Sequence, residues 1–265
     1  MPKKKTIAET EEVPEELVEE MQDEVKTKKK PTDKEKEEKL AKLKEKAAAL
    51  SKKVKGEKAE TKEEEKETLV PIEDYLKSSI HLGTRAITPD MKPYVYKRRA
   101  DSLAVFNTVL LDEKIKEGAE FLAKFSPEEI VVVCKREAGH KPVEIFSEVT
   151  GIRAFTKQYP AGILTNPNLE TFIETELILI CDPWTDKNAL NDAKKIKIPI
   201  LGICDTNNYT KDVTKVIPGN NKSAKSLGMI FYLLAKIYAE KRKLNKEIPP
   251  IQDWIENWDN LVPPK

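Results

Sequence analysis

Three aspartates follow two short apolar runs in the second half of the chain. The first run, residues 177–181, ends at Asp182, with Asp186 four residues later, and the second, residues 199–204, ends at Asp205. Both runs lack polar alternation and are separated by an amphipathic stretch of helix length, which predicts a strand–helix–strand unit of a parallel sheet. All three carboxylates are therefore expected at the carboxyl edge of one sheet, where open α/β folds bind ligands.

Two roles are open to these carboxylates. Asp182, Asp186 and Asp205 could hold Mg²⁺ for a phosphoester hydrolase, because carboxylate oxygens are the ligands that this ion prefers. They could instead accept hydrogen bonds from backbone N–H groups of loops and helix starts, where aspartate is preferred. No glycine-rich phosphate loop accompanies them, which favours the structural role.

A segment that precedes the two apolar runs in the chain combines basic and aromatic residues. Residues 81–99 contain turn formers, then cations interleaved with Tyr94 and Tyr96. Cations attract phosphates and aromatic rings offer stacking faces for bases, so this pattern predicts RNA binding. A solvated basic hairpin would explain the composition nearly as well. The candidate residues are Arg85, Lys92, Tyr94, Lys97, Arg98 and Arg99.

A second candidate site lies at the start of a long helix predicted from about Ser223 to Lys243. Asn220, Asn221 or Ser223 is expected to cap it, and its start carries lysines. Free N–H groups at a helix start together with lysines attract anions. The candidate RNA-binding residues here are Asn220, Asn221, Lys222 and Lys225.

Other chemistry finds little support in the sequence. The glycine patterns that cradle dinucleotides and triphosphates are absent, so no cofactor is expected. Cys134, Cys181 and Cys204 fall in or at the end of predicted strands, which makes a Cys/His zinc site improbable and predicts buried thiols of a reducing compartment. His81 could act as a general base, but no nucleophile motif accompanies it, and a structural role beside a turn glycine is favoured.

Composition divides the chain into three parts. Residues 1–68 hold 39 charged side chains and no aromatic ring, which predicts a charged extension that is disordered or partly helical, with weak heptad spacing at residues 40–54. Residues 69–245 are expected to form one α/β domain, and residues 246–265 a tail whose short helix carries Trp254 and Trp258 on one face. No apolar run reaches membrane-spanning length, and residues 1–12 lack a secretory apolar core.

Three segments in this order and spacing resemble the small-subunit ribosomal protein two family of archaeal and eukaryotic type. They read IHLGTRAITPDMKPYVYKRRADSLAVFNT, DPWTDKNALNDAKKIKIPILGICDTN and VIPGNNKSAKSLGMIFYLLA. The resemblance covers about residues 70–245. The chain lacks the length for the helical hairpin that bacterial members insert, and Trp184 stands where the family usually has arginine.

This resemblance implies a three-layer α/β/α flavodoxin-like fold with a parallel sheet and no catalytic activity. It also implies a structural protein of the cytoplasmic small ribosomal subunit near the head–body junction. The expected partners are small-subunit ribosomal RNA and neighbouring ribosomal proteins, with no membrane and no autonomous homo-oligomer. Two alternatives remain at this point: the magnesium-dependent hydrolase, and a protein-interaction module that uses the N-terminal extension.

Overall fold

The computed structural model describes residues 69–244 and 246–256, together with Trp258 and Leu261. The predicted extension at residues 1–68, with its heptad positions, lies outside the described residues. The interaction module that would use the extension is therefore not tested by the structure.

Within the described residues, seven strands form two sheets. The strands are β1 Val95–Arg98, β2 Ala104–Phe106, β3 Ile130–Cys134, β4 Arg153–Thr156, β5 Leu177–Ile180, β6 Ile200–Cys204 and β7 Lys215–Pro218. A small antiparallel hairpin pairs β1 with β2, and the other five strands form one parallel sheet in the order β4-β3-β5-β6-β7. Counted within that sheet, the order is 2-1-3-4-5, which is the flavodoxin-like arrangement.

The α-helices of the described chain include the long one predicted from about Ser223 to Lys243, which is observed at Ala224–Arg242. Asn107 caps the second helix, and its side chain accepts a hydrogen bond from the Val109 amide at 3.1 Å. Gly151, at a φ of +77°, ends the third helix. The helices are α1 Ile72–Ser78, α2 Thr108–Leu122, α3 His140–Thr150, α4 Lys187–Ile196, α5 Ala224–Arg242 and α6 Ile251–Trp254.

The parallel sheet is covered on both faces, as its uninterrupted apolar strands predict. Helices α2, α3 and α5 pack with Val132 and Leu179 in one core. Helix α4 and the loop after β4 cover the other face, where Val131 and Ile178 lie. Neighbouring strand residues thus point to opposite cores, and the three-layer α/β/α prediction is confirmed.

The end of the described chain packs against α5. Trp254 is buried, and its indole N–H donates to the Pro249 carbonyl at 3.2 Å. Helix α6 ends at Trp254, so the prediction that Trp254 and Trp258 share one helical face is wrong. Trp258 is half-buried, and the Lys77 ammonium lies 5.8 Å from its ring centroid. The two rings contact different parts of the domain: Trp254 lies against Tyr232 of α5, and Trp258 lies beside Lys77 of α1.

The prediction of buried thiols is confirmed. Cys134, Cys181 and Cys204 are free thiols, and all three are buried.

Among the helices of the described residues, none combines the length and the hydropathy that a membrane span requires.

Gly228→Ala tests the docking of the chain end on α5. A Cβ at this position would lie 2.6 Å from Ile255 Cγ1 and 2.8 Å from the Trp254 carbonyl oxygen. Alanine normally stabilises a helix by about 0.5–1 kcal/mol over glycine, but overpacking costs about 1–3 kcal/mol. We expect a net loss of about 1–2 kcal/mol in urea unfolding. The exposed Lys236→Ala should change stability by less than about 0.5 kcal/mol, and a gain for Gly228→Ala would contradict the docking.

Candidate nucleic-acid interface

Asp182, two residues after β5, is the most heavily hydrogen-bonded of the three aspartates. Its carboxylate accepts hydrogen bonds from the Trp184 amide at 3.0 Å and the Thr185 hydroxyl at 2.7 Å. It also pairs with the Arg136 guanidinium, which extends from the end of β3. Burial disfavours ionisation of Asp182, but the hydrogen bonds from Arg136 and Thr185 outweigh it and hold the pKa of the carboxyl below its usual value.

Asn208 connects this carboxylate to the end of β6. Its side-chain amide nitrogen donates to the Asp182 carboxylate at 3.0 Å. Its side-chain oxygen accepts from the Asp205 backbone amide at 2.7 Å and from Asn221 Nδ2 at 3.1 Å. The side chain is 2 % exposed, so these contacts replace water completely. One asparagine therefore joins the ends of β5 and β6 to the segment that leads into α5.

Asp186 and Asp205 complete this edge of the sheet. Asp186 accepts from the Lys135 amide at 2.9 Å and the Asp182 amide at 3.3 Å. Asp205 accepts from the Thr206 amide at 2.6 Å and lies 3.4 Å from the Lys222 ammonium. Burial raises the pKa of Asp186 to about 7, and it also raises the pKa of Asp205.

These contacts match the structural role that the sequence favours for the aspartates. Within the described ranges, no group of three or more His, Cys, Asp or Glu side chains could hold a metal ion. Nearly every carboxylate oxygen of the three aspartates already has a partner in the protein. The hydrolase alternative therefore finds no support in this geometry.

His81 also takes the structural role. Its ring is buried, and Nδ1 lies 3.2 Å from the Tyr75 carbonyl oxygen, so Nδ1 carries the proton that is donated. Burial lowers the pKa of this histidine, and the neutral ring is the form that fits its surroundings.

The basic segment is fastened to the same edge of the sheet. The Thr84 amide donates to Thr206 Oγ1 at 2.9 Å, and the Thr88 amide donates to the Thr206 carbonyl at 2.9 Å. Thr88 Oγ1 also donates to the Asn208 carbonyl at 2.7 Å. Gly83 permits this approach, since a Cβ there would lie 2.5 Å from Thr206 Cγ2. The segment at residues 81–90 is thus seated on the loop after β6.

Most of the first candidate set lies at the surface. Arg85, Lys92, Lys97 and Arg98 are exposed, and Arg98 Nη2 donates to the Arg85 carbonyl at 3.4 Å. Arg99 is half-buried and pairs with Asp101 at 3.5 Å. Arg98 therefore lies beside Arg85, and Arg99 is partly engaged at the turn.

The two tyrosines of this segment differ in their surroundings. Tyr94 ends a short 3₁₀ turn and packs against the main core, so its ring is not a free stacking face. Tyr96 is 70 % exposed, and the Lys97 ammonium lies 5.8 Å from its ring centroid. Tyr96 therefore offers the more exposed stacking face of the two. The alternation Tyr94-Val95-Tyr96 marks a strand, but it does not tell which face is covered.

The second candidate set is less exposed than the sequence suggests. Asn221 is 1 % exposed, and its amide donates inside the protein, so its placement at an RNA-facing surface is corrected: it supports the loop. Asn220 Oδ1 accepts from the Lys222 amide at 3.0 Å. Ser223 precedes α5 but makes no side-chain cap bond. Lys225 is exposed in the first turn, and Lys222 is shared with Asp205.

The two candidate sets border the same segment of chain. The Asn220 amide donates to the Ile80 carbonyl at 3.2 Å, and Ile80 immediately precedes the basic segment at residues 81–99. Asn208, Thr206 and Arg136, which organise this region, were not selected from the sequence. Their hydrogen-bonding side chains follow or precede strands, but only the strand order shows that they meet.

Comparisons with known proteins match the chain to ribosomal proteins. The family described as Ribosomal protein S2 matches residues 170–241. Small ribosomal subunit protein uS2 of Nanoarchaeum equitans is 47 % identical over 196 residues, 74 % of this chain and 98 % of that protein. The protein of the same name from Ignicoccus hospitalis is 42 % identical over 73 % of this chain and 92 % of its own length. That from Thermoplasma acidophilum is 41 % identical over 67 % and 89 %.

The raised pKa of Asp186 predicts a pH dependence of stability. The folded protein keeps this proton up to about pH 7, whereas an unfolded aspartate loses it near pH 3.9. Stability therefore falls as the pH rises from about 4 to about 7, by at most about 1.4 kcal/mol per pH unit from this group. Asp186→Asn does not titrate, so it should become more stable relative to wild type over this range. Urea unfolding at several pH values measures the difference, and a constant difference would contradict the shift.

Proposed function

Because the chain belongs to the family of small ribosomal subunit protein uS2, we propose that it is a structural, non-catalytic constituent of the small ribosomal subunit that binds ribosomal RNA and neighbouring ribosomal proteins. The alignment with the uS2 protein of Nanoarchaeum equitans, 47 % identity over 98 % of that protein, carries this conclusion. The flavodoxin-like order of the sheet and the structural use of its edge carboxylates agree with it.

The finer parts of the proposal concern the place of the protein. We expect it in the cytoplasm as part of the ribosome, near the head–body junction, and not as an autonomous homo-oligomer. The family resemblance supports this placement.

For RNA contact we propose the exposed hairpin cations and the start of α5. Arg85, Lys92, Lys97 and Arg98 face solvent, and Lys225 does so at the helix start. Such side chains neutralise phosphates and fix the orientation of the protein on folded RNA. Arg99, Lys222 and Asn220 contribute where RNA competes for their present partners. Tyr94 and Asn221 support the surface from inside.

The proposed attraction is local. The full chain carries a formal net charge of +1, so no general positive charge draws it to nucleic acid. The hairpin concentrates cations on a surface whose shape the buried edge fixes. Double-stranded RNA is read largely by shape, so these contacts are expected to carry little sequence specificity.

Sedimentation of a cell extract on a sucrose gradient tests the function. The protein, followed by antibody, should migrate with the small subunit both in magnesium and after chelation. If the protein stays at the top of the gradient while the subunit moves down, the ribosomal role is excluded.

The hairpin surface is tested in the same gradient at increasing salt. The triple variant Lys97→Ala, Arg98→Ala, Arg99→Ala should leave the subunit at lower salt than wild type. Binding of the purified variant to small-subunit RNA should also show a salt slope smaller by about 0.9 for each phosphate that the variant no longer neutralises. The matched control, Lys141→Ala, Lys236→Ala, Lys241→Ala, removes the same charge from exposed helix positions. Equal behaviour of the two triple variants would show that the hairpin is not the RNA-binding surface.

A further inference from the structure

Two large aromatic rings stand exposed on the carboxyl edge of the sheet. Trp184, in the loop after β5, is 67 % exposed, and Tyr209, in the loop after β6, is 69 % exposed. Both line one shallow cleft of about 220 Å³. Single exposed apolar residues are ordinary, but two large aromatic side chains that line the same cleft mark an interaction site.

The backbone that carries these rings is held in place. The Trp184 amide donates to Asp182 at 3.0 Å, so the tryptophan lies close to a buried and fully bonded residue. Tyr209 lies between Asn208, which is 2 % exposed, and Thr210, whose amide donates to Asp90 at 3.0 Å. The rings are thus presented from fixed loops, which lowers the entropy cost of binding a flat ligand.

The charges around the cleft favour an anionic ligand. Lys187 and Lys211 line the cleft, and within the described residues neither has an ion-pair partner. The acidic residue of the lining, Asp212, is paired with Lys194 at 2.8 Å. The cleft therefore offers two flat aromatic faces, two available cations and one neutralised carboxylate.

From this combination we propose that the Trp184/Tyr209 cleft seats an unpaired, stacked base of a single-stranded RNA segment, with Lys187 and Lys211 on the adjacent phosphates. Aromatic faces with nearby cations are the means by which proteins hold single strands. The cleft is smaller than the roughly 300–1,000 Å³ that encloses small-molecule ligands, which suits one planar ring better than a whole metabolite.

The cleft also adjoins the hairpin surface. Thr88 donates to the Asn208 carbonyl, and Asp90 accepts from Thr210, so the loop of Tyr209 touches the segment that leads into the hairpin. An RNA that contacts the hairpin cations could continue onto the cleft. The proposal rests on the RNA-binding function given above and adds a second, chemically different contact to it.

Fluorescence anisotropy of a labelled oligoadenosine with the purified full chain tests whether the Trp184/Tyr209 cleft binds a stacked base. Trp184→Ala and Tyr209→Ala should each weaken binding by about 5- to 100-fold, the range expected when one stacking ring is removed. Trp184→Phe keeps an aromatic face and should bind within about threefold of wild type. Trp184→Ala should leave the salt slope unchanged, whereas Lys187→Ala or Lys211→Ala should reduce it by about 0.7. Thermal melting establishes that each variant is folded.

The outcomes separate this proposal from the ribosomal role. If wild type does not bind the oligonucleotide, or the alanine variants bind it as wild type does, the stacking seat is excluded while gradient migration still tests the ribosomal role. If the Trp184→Ala variant dissociates from the small subunit in the gradient but still binds the oligonucleotide, the cleft faces a protein neighbour and the proposal is overturned. If wild type does not migrate with the subunit, the ribosomal function fails independently of the oligonucleotide result.

Discussion

The structure depends on one buried polar network, in which Asn208 joins Asp182 to Asp205 and Asn221. A parallel sheet leaves loops at its carboxyl edge, and here the polar groups of those loops are removed from water. Each buried donor or acceptor left without a partner would cost about 1–3 kcal/mol. The network satisfies most of these groups with one another. It thereby fixes the loops after β5 and β6 and the entry to α5.

This arrangement explains how a fold that commonly binds ligands serves a structural role. In open α/β sheets the crevice at the strand ends is the usual place for a ligand. Here the Arg136 guanidinium and the Thr185 hydroxyl donate hydrogen bonds to the Asp182 carboxylate, and two backbone amides donate to the Asp186 carboxylate. The carboxylates at this edge are thus hydrogen-bonded within the protein. The outer side of this edge carries the basic hairpin and the exposed rings of Trp184 and Tyr209. The groups available to a binding partner are therefore these surface cations and rings.

The sequence predicts the elements of this fold well because the decisive signals are local. The apolar runs at residues 177–181 and 199–204 are observed as the strands Leu177–Ile180 and Ile200–Cys204, and the helix predicted from about Ser223 to Lys243 is observed at Ala224–Arg242. Orientation is less predictable: Tyr94 and Asn221 point inward because contacts from distant segments cover them. Asn208 gives little local signal. Its contact with the Asp205 amide is local, but Asp182 and Asn221 become its neighbours only after the strands are ordered.

Amide hydrogen exchange of Asn208→Ala tests most directly whether this network holds the basic segment on the sheet. The Thr84 and Thr88 amides, which bond to Thr206, should lose about 1–3 kcal/mol of protection more than the Val132 and Leu179 amides of the central strands. The exposed Asn168→Ala serves as the control and should leave all four amides unchanged. If the Thr84 and Thr88 amides lose no more protection than the central strands, the hairpin is held independently of the network, and the central role given to Asn208 is wrong.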